Sequence, residues 1–565
     1  MSIMPLPSTR REMKERGWKQ CDVVILVTGD AYVDHPSFGA PLIGRFLESL
    51  GYTVGVLAQP QAEGAGSGSI NELGHPRLFW GVTGGNVDSM VARYTASGRL
   101  RRDDAYTPGG TALIVGQDGV KRPARPDRAA SAYCRAIRQA HKGAVIVLGG
   151  IEASMRRFSH WDFVQSKIRH SLLVDTKADI LVYGMGERAV KELAFRMENN
   201  MSCEGIPGTV IRKNALPYET VVCLPSHGDL SLAPEKLFLQ SELLHSRRAE
   251  ILYEQDGAWY LIQHPAAQPL STEELDSLYA LPFTRRPHPM YEERIPAWEM
   301  IKDSVTAHRG CAGGCRFCGI SLHQGRTIVS RSESSLMAEI EILKQRKDFS
   351  GHITDIGGPS ADMYGAVCLA DPEKCQRESC LYPRPCPFFK SDVPRYLRLL
   401  EQASGKVRKV SIGSGLRLDL SLSRLEWRKA IIGRYLSGYL NIAPEHCHPS
   451  VLDAMGKYTP ETVNMFMRQL EKEYPFPRAF RLRAYFIAGH PGETAEANRE
   501  AAAFIRKYKI RAEAVQAFTP LPMTRSAAFY VSKRGPLGSR IVVPGSGEAA
   551  RFKAALVFRK KKEKN

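Results

Sequence analysis

Between residues 301 and 520 the chain alternates six short, apolar, β-rich segments with five helical ones, and this alternation constrains the fold more than any other feature. The strand-like segments are 303–308, 352–357, 407–413, 438–443, 481–487 and 512–518. Helical periodicity falls between them at about 332–347, 392–403, 424–433, 459–473 and 494–508. Thr459 followed by Pro460 supplies an N-cap and a first-turn proline. Strands that alternate with helices build parallel sheets, because each crossover helix carries the chain back to the edge it left. Six such units predict a partial (β/α)6 barrel, whose chemistry belongs at the C-terminal rim of its strands.

Directly after the first of these strands stands HRGCAGGCRFCGI, which spaces Cys311, Cys315 and Cys318 as C-x3-C-x2-C. Three thiolates from one loop can hold three corners of a four-iron cluster, whose usual complement is four cysteines. The fourth iron is then open, as catalytic metal sites keep one position free. Gly310, Gly313 and Gly314 let the backbone wrap closely. Phe317 can shield the cluster from water, and burial is one lever on reduction potential. Two plainer readings compete. A zinc knuckle pairs C-x2-C with a second pair or with histidines further on. Buried free thiols are the other, but three cysteines crowded among glycines beside Arg316 do not look like core packing. The iron–sulfur reading is preferred over both.

The loop resembles the signature of radical S-adenosylmethionine (SAM) enzymes, and the predicted barrel is similar to their core. That resemblance implies a 4Fe-4S cluster on Cys311, Cys315 and Cys318, with SAM chelated to the open iron through its amino and carboxylate groups. It also implies roles for later residues. Gly357-Gly358-Pro359 follows the second strand, where such proteins offer backbone groups to the SAM amino group; alone, it is a turn. Ser411, Gly413, Ser414 and Arg417 end the third strand, near the methionyl carboxylate or ribose; Arg417 alone could equally be a surface cation. Glu445 ends the fourth strand, where it binds a ribose hydroxyl or caps the next helix. The run Gly489 to Thr494 resembles a G-x-P-G-E-T segment of several such families, with Glu493 and Thr494 expected to start a helix. Phe317, Gly357, Gly358, Ser414, Arg417 and Glu445 are therefore the expected cofactor-binding residues.

A second cysteine group is Cys368, Cys375, Cys380 and Cys386, four thiols within 19 residues broken by prolines. These are enough for a closed metal site, either an auxiliary iron–sulfur cluster or a structural zinc, although one or two may be bystanders. Their spacing matches no familiar zinc pattern, and Cys447 is a candidate to join them in space. Cys21, Cys134, Cys203 and Cys223 are isolated and expected to be ordinary apolar residues.

Residues 1–215 predict a separate Rossmann-like, doubly wound α/β domain. Its strands are read at 21–29, 53–58, 143–150 and 178–187, and its helices at 41–50, 127–142 and 187–199. Segment 63–69 is a flexible loop by composition. Residues 216–300 are expected as a connector, with a capping box at Ser271 and Glu274. The core barrel then occupies 301–520, and 521–565 forms a short C-terminal extension with a basic tail. Similar α/β domains precede many radical-SAM cores and bind cobalamin there. The base-off motif of such domains is D-x-H-x-x-G, whereas here Asp34 adjoins His35 and Gly39 comes one residue late. Cobalamin is accordingly not expected, and the domain is read as a cofactor-free docking unit.

Composition narrows the setting. With 565 residues, 43% hydrophobic, the chain is long enough for about three domains with substantial cores. No run of about 18 apolar residues appears, so no membrane-spanning helix is expected. The opening residues lack the apolar core of a signal peptide. Twelve cysteines without export point to metal ligands in a reducing cytoplasm rather than disulfides. A formal charge of +19 and a pI near 9.4 favour polyanionic partners without specifying one. The basic run 559–564 is usually a solvated chain end.

Seven runs together carry a closer likeness: GDAYVDHPSFG (29–39), YTPGG (106–110), LPFTRRPHPMY (281–291), IPAWEMI (295–301), HRGCAGGC (308–315), APEH (443–446) and FTPLPMT (518–524). They resemble the YgiQ family of bacterial radical-SAM proteins. Members of that family often extend further at the C-terminus, and no essential role for such a tail is expected here. The implied function is reductive cleavage of SAM to a 5′-deoxyadenosyl radical, with a reducing partner such as flavodoxin or ferredoxin and RNA or protein as the substrate class. The alternative is a non-catalytic iron–sulfur or zinc protein that binds nucleic acid through a basic surface.

Overall fold

The structure, a computed structural model, describes residues 3–60, 69–115, 119–219, 221–371, 375, 377–436, 438–474 and 481–557. The expected loop 63–69 (except Ser69) and the basic tail lie outside the described residues. The chain divides into two compact units, Met1–Lys302 and Asp303–Asn565. It is a mixed α/β protein with a large, mainly parallel sheet in its first unit.

In the first unit β1 (Val23–Thr28), β2 (Val54–Ala58), β3 (Phe79–Thr83), β4 (Ile146–Gly149) and β5 (Ile180–Val182) are parallel, in the order β2-β1-β3-β4-β5. Four of these follow from the sequence reading. The fifth, Phe79–Thr83, is an apolar run that the reading passed over, yet it lies at the centre with Trp80 fully buried. The order reverses between β1 and β3, the place where open α/β sheets have their ligand crevice.

The stretch expected as a connector contributes strands to this same sheet. β6 (Thr209–Lys213) lies antiparallel to β5, and β7 (Val222–Cys223), β8 (Leu252–Asp256) and β9 (Trp259–Gln263) extend the edge beyond it. β8 and β9 form a hairpin across Gly257 and Ala258, with Gly257 at φ +60° and Asp256 paired to Trp259. Asp-Gly between apolar, alternating runs is a strong hairpin signal, and it was present in the sequence. The expected capping box holds: Ser271 Oγ accepts from Glu274 N at 3.2 Å, and the Glu274 carboxylate accepts from Ser271 N at 2.7 Å.

The second unit follows its predicted order closely. β10 (Ser304–Thr306) pairs with β12 (Asp355–Gly357), and β11 (His352–Ile353) pairs with β13 (Lys409–Val410). Leu416 bridges to Ile442 in β14 (Tyr439–Glu445), which continues to β15 (Arg481–Ala488) and β16 (Arg511–Ala517). Every one of these pairings is parallel, and neighbours follow chain order. Helices Glu333–Lys344, Val393–Ser404, Pro460–Glu473 and Ala495–Lys507 lie within a few residues of their expected spans. Their apolar faces (Leu336, Ile340, Leu399, Phe466, Ile505) bury against Val305, Ile356, Val410, Ile442 and Phe486 of the strands. Each such side chain contributes about 1.5–3 kcal/mol when fully buried. The C-terminal stretch is more than an extension: Phe552 and Leu556, on helix Ser546–Leu556, are buried in this same core.

Candidate functional site

The cysteine loop follows β10 at its C-terminal end. Its backbone is tied on several sides. Cys311 N donates to Gly325 O at 3.1 Å, Arg316 N to Met455 O at 2.9 Å, and Cys318 N to Cys315 O at 3.1 Å. Gly313 has no room for a side chain, because a Cβ there would lie 2.5 Å from the Arg417 guanidinium and 3.4 Å from Cys311 Sγ. Phe317 packs beside Val451 and Met455 and meets the His490 ring edge-on.

Two buried cations face the thiols. Arg417 Nη1 is 3.8 Å from Cys315 Sγ, while its other nitrogens donate to Asp419 at 3.0 and 2.7 Å and to Lys457 O at 3.3 Å. It is only 5% exposed, which rules out the surface-cation reading. Lys457 Nζ donates to Glu445 at 2.7 Å, and both cations lie about 5 Å from the centre of the Tyr458 ring. Burial works against the charge on Lys457, yet Glu445, then Tyr458 and the Cys315 thiolate, hold it above the ordinary lysine range. Glu445 does not cap the following helix; His448 does, and Glu445 sits at φ +63°, a left-handed conformation found at functional sites. Burial pushes the Cys318 thiol up to about 12, with the Cys315 thiolate adding to it. Cys311 is raised by the same two causes, against Arg417 and Lys457. A bound metal deprotonates such thiols outright. Three thiols in one loop offer ligands to a cationic iron–sulfide core, and the buried cations beside them offset the negative charge of the thiolates it would bind, so the residues present fit an open iron–sulfur cluster.

Beside the loop the predicted cofactor residues come together. Asp355 accepts from Gly413 N at 2.9 Å, from Ser414 N at 3.1 Å and from Ser414 Oγ, so Ser414 is held in place rather than presented on a mobile turn. A Cβ on Gly357 would lie 2.6 Å from Ser414 Oγ, and one on Gly358 would lie 2.6 Å from the His308 ring. Asp362 accepts from Arg417 N at 2.7 Å, Trp427 Nε1 at 2.9 Å and Ser421 Oγ at 3.1 Å; burial lifts its carboxyl to about 6 despite these bonds.

Sequence reasoning missed His308 and Lys457. The His308 imidazole is fully buried, and neither ring nitrogen has a hydrogen-bond partner. Burial lowers its pKa to about 4, so the ring is neutral at pH 7 and keeps one donor and one acceptor unspent. Such an orphan is rare in a protein interior and calls for a ligand. Lys457 follows a left-handed Gly456 that ends helix Pro449–Met455, and no motif marks it in the sequence.

Other predicted residues fall into place. Thr494 caps helix Ala495–Lys507, accepting from Ala497 N at 3.2 Å, whereas Glu493 is buried and bonded to Gly489 N and Asn498. In the second cysteine group, Cys386 N donates to Cys380 O at 2.7 Å, and Cys368 pairs with Phe389, whose N donates to Cys386 O at 3.0 Å. Cys447 does not join it and packs against the main core of the second unit. Cys223 is exposed on its short edge strand, contrary to expectation, while Cys21 and Cys134 are buried. In the first unit Arg125 joins the ends of β1 and β3: it donates to Asp30 at 2.8 Å, to Asp104 at 3.0 Å and to Gly84 O. His35 is buried and its Nδ1 accepts from Ser37 N at 3.1 Å. Among the described residues, no helix is long and apolar enough to cross a membrane.

Comparison with known proteins finds relatives over nearly the whole chain. The sequence profile of a family described as Radical SAM N-terminal matches residues 5–304, which spans the first unit. A UPF0313 protein of Geobacter sulfurreducens is 41% identical over 569 residues, covering 98% of this chain and 92% of its own. A UPF0313 protein of Thermotoga maritima is 42% identical over 579 residues, covering 100% of this chain and 98% of its own. Among solved structures, the radical SAM methyltransferase TsrM of Kitasatospora setae, with cobalamin and a 4Fe-4S cluster bound, superposes with a TM-score of 0.50. At 15% identity over 95% of this chain and 91% of TsrM, that likeness speaks for the fold alone. The chain belongs to the UPF0313 family, the YgiQ-type radical-SAM proteins to which the runs of its sequence point.

Proposed function

We propose that this protein is a radical-SAM enzyme with an open 4Fe-4S cluster on Cys311, Cys315 and Cys318. The observation that carries the reading is the buried Arg417 guanidinium 3.8 Å from Cys315 Sγ, in a loop that spaces three cysteines, with Lys457 beside it on the Tyr458 ring. We read the first unit as a Rossmann-like, doubly wound domain and the second as a partial (β/α)6 barrel, on the support of their strand orders.

A cluster held by Cys311, Cys315 and Cys318 would supply one-electron reduction, and SAM bound at its open iron would supply radical chemistry through reductive S–C5′ cleavage. The protein supplies geometry, charge and exclusion of water. Arg417 and Lys457 offset the thiolate charge, and Tyr458 and Phe317 provide apolar cover on the loop's flanks. Asp355 fixes Ser414 and the adjoining turn, where the SAM amino and carboxylate groups belong in this reading. His308, neutral and without a protein partner, is a further contact for SAM beside Gly358.

The formal charge of +19 supports RNA as the substrate class over a neutral small molecule. The electron donor in this reading is a low-potential carrier such as flavodoxin or ferredoxin, in the cytoplasm. Cobalamin stays outside the proposed cofactors because Arg125, bonded to Asp30 and Gly84 O and backed by Asp104, occupies the ends of β1 and β3. The cobalamin bound in TsrM points the other way. Incubation with hydroxocobalamin followed by desalting separates the two: retained corrin absorbance at one per chain would restore cobalamin.

The test of the main reading is anaerobic incubation of reconstituted protein with SAM and dithionite. Wild type should release 5′-deoxyadenosine and methionine in equal amounts, and the Cys311→Ala/Cys315→Ala/Cys318→Ala variant should release neither. Wild-type rates in that variant would sink the proposal.

A further inference from the structure

Strands β14 and β15 bury one face and leave the other polar. Leu440 and Ile442 of β14, with Leu482, Ala484 and Phe486 of β15, pack under the helices in the main core of the second unit. The alternate positions carry Tyr439 and Asn441 on β14, and Arg481, Arg483 and Tyr485 on β15. The parallel register sets Tyr439 beside Arg481 and Asn441 beside Arg483. Three guanidiniums gather on one ring: those of Arg483, Arg511 and Arg481 lie 4.3, 5.4 and 6.0 Å from the centre of Tyr439. Cations crowded this closely repel one another. Among the described residues no carboxylate pairs with Arg481 or Arg483.

Two polar atoms in this row are buried without a partner, Arg483 Nε and Asn441 Oδ1. The orientation of the Asn441 amide is fixed, because its Nδ2 donates to Gly413 O at 3.0 Å. The row therefore presents an unspent donor on a cation next to an unspent acceptor. A phosphate ester beside a ribose hydroxyl satisfies both: phosphate oxygens accept from the guanidinium fork, and the hydroxyl donates to Asn441. A bare phosphate or carboxylate would leave Asn441 unsatisfied. Tyr485, 38% exposed two residues along the same face, offers a base a ring to stack on.

We propose that this face of β14 and β15 binds a single-stranded RNA segment, with a phosphate on Arg481 and Arg483, a ribose hydroxyl on Asn441 and a base on Tyr485. Cationic surfaces interleaved with aromatic rings are the general form of such sites, and the 2′-hydroxyl is what tells RNA from DNA there. The place suits a substrate. Gly413, whose carbonyl accepts from Asn441, donates its own N–H to Asp355 at 2.9 Å in the turn that holds Ser414. The RNA site therefore borders the turn read as holding the SAM amino and carboxylate groups. That the bound RNA is a substrate rests on the radical-SAM reading; that RNA binds here does not.

The test is fluorescence anisotropy of a short, labelled single-stranded RNA of mixed sequence with the full-length reconstituted protein. Wild type is compared with Arg483→Gln, Arg481→Gln, Tyr485→Leu and, as a control, Lys429→Gln, an exposed cation on helix Leu425–Ala430. Each arginine variant should bind about tenfold more weakly. Each should also flatten the salt dependence by about 0.7, the share of one phosphate contact on a single strand. Tyr485→Leu should lose about fivefold or more with the salt dependence unchanged, and Lys429→Gln should change neither. DNA of the same sequence should bind more weakly than the RNA, because it offers Asn441 no 2′-hydroxyl. Wild type that does not bind the RNA, equal losses in Lys429→Gln and Arg483→Gln, or equal affinity for the DNA would each overturn the proposal. Displacement of the RNA by millimolar 5′-AMP would overturn it too, and give the site to a mononucleotide. Arg481 is exposed, so its variant decides the matter if Arg483→Gln does not fold. Release of 5′-deoxyadenosine from SAM is read on the same preparations without RNA. Its absence in wild type is failure of the radical-SAM reading and leaves the RNA result standing.

Discussion

Arg417 holds its guanidinium 3.8 Å from the Cys315 sulfur while Asp419 grips its other edge at 2.7 and 3.0 Å. An arginine buried at 5% exposure does not sit against a cysteine by default; ionised side chains are almost never buried without partners. Hydrogen bonds and charge beside the sulfurs are among the levers that set a cluster's potential. The pair therefore links the fold of the second unit to the redox behaviour of the site it proposes.

Arg417→Met should destabilise the protein by about 3–5 kcal/mol, because it leaves Asp419 buried without its partner. Arg417→Met/Asp419→Leu should recover most of that loss. It should not recover the cluster's reduction potential, which falls when a nearby cation is removed. Thermal melts and a redox titration of the reconstituted double variant check both halves, and an unchanged potential would refute the link.

His308→Phe should leave the melting temperature the same or higher, because it removes two buried ring nitrogens that no protein group satisfies. SAM affinity should fall by about tenfold or more, the worth of one hydrogen bond to a charged group. Equilibrium dialysis of reconstituted protein with labelled SAM reads this directly. Equal affinity in the variant would show that the ring does not meet SAM.

Glu254 is fully buried, accepting from Ser159 Oγ at 2.6 Å and Gln240 Nε2 at 3.0 Å. Burial, with Asp256 adding to it, raises its carboxyl from 4.5 to about 8. The folded state thus keeps a proton that the unfolded state loses between those values. The stability this group confers is fully present below about pH 4.5 and is lost as pH rises towards 8, at about 1.4 kcal/mol per pH unit. Glu254→Gln lacks that titration. Denaturant melts at pH 5, 6.5 and 8 should show wild type losing ground to the variant with each step; parallel curves would contradict the assignment.

Much of the second unit was legible because each of its helices is amphipathic and each strand is bounded by turn residues, so period and punctuation agree. Thr459-Pro460 and Thr494 mark helix starts that the structure reproduces. The first unit was read less well. Phe79–Thr83 has no polar alternation, being covered on both faces, and so lacks the signal of a half-exposed strand. The β8–β9 hairpin was hidden by treating a proline-rich neighbourhood as a connector, although Asp256-Gly257 announces a turn. At the site the three cysteines carried their own spacing, but the charges around them did not. Arg417 reaches Cys315 from a distant part of the chain, and Lys457 lies with it against the Tyr458 ring; only the fold brings them there. His308 lay inside a recognised run, yet nothing in a sequence tells a bonded imidazole from an unbonded one.

The central claim is an open iron held by Cys311, Cys315 and Cys318, and the most direct measurement is electron paramagnetic resonance of the reduced, reconstituted protein with and without SAM. The account predicts a reduced-cluster signal whose g values shift when SAM is added, and the loss of that SAM-sensitive signal in the triple alanine variant. A spectrum indifferent to SAM in wild type, or the same shift in the variant, would contradict it.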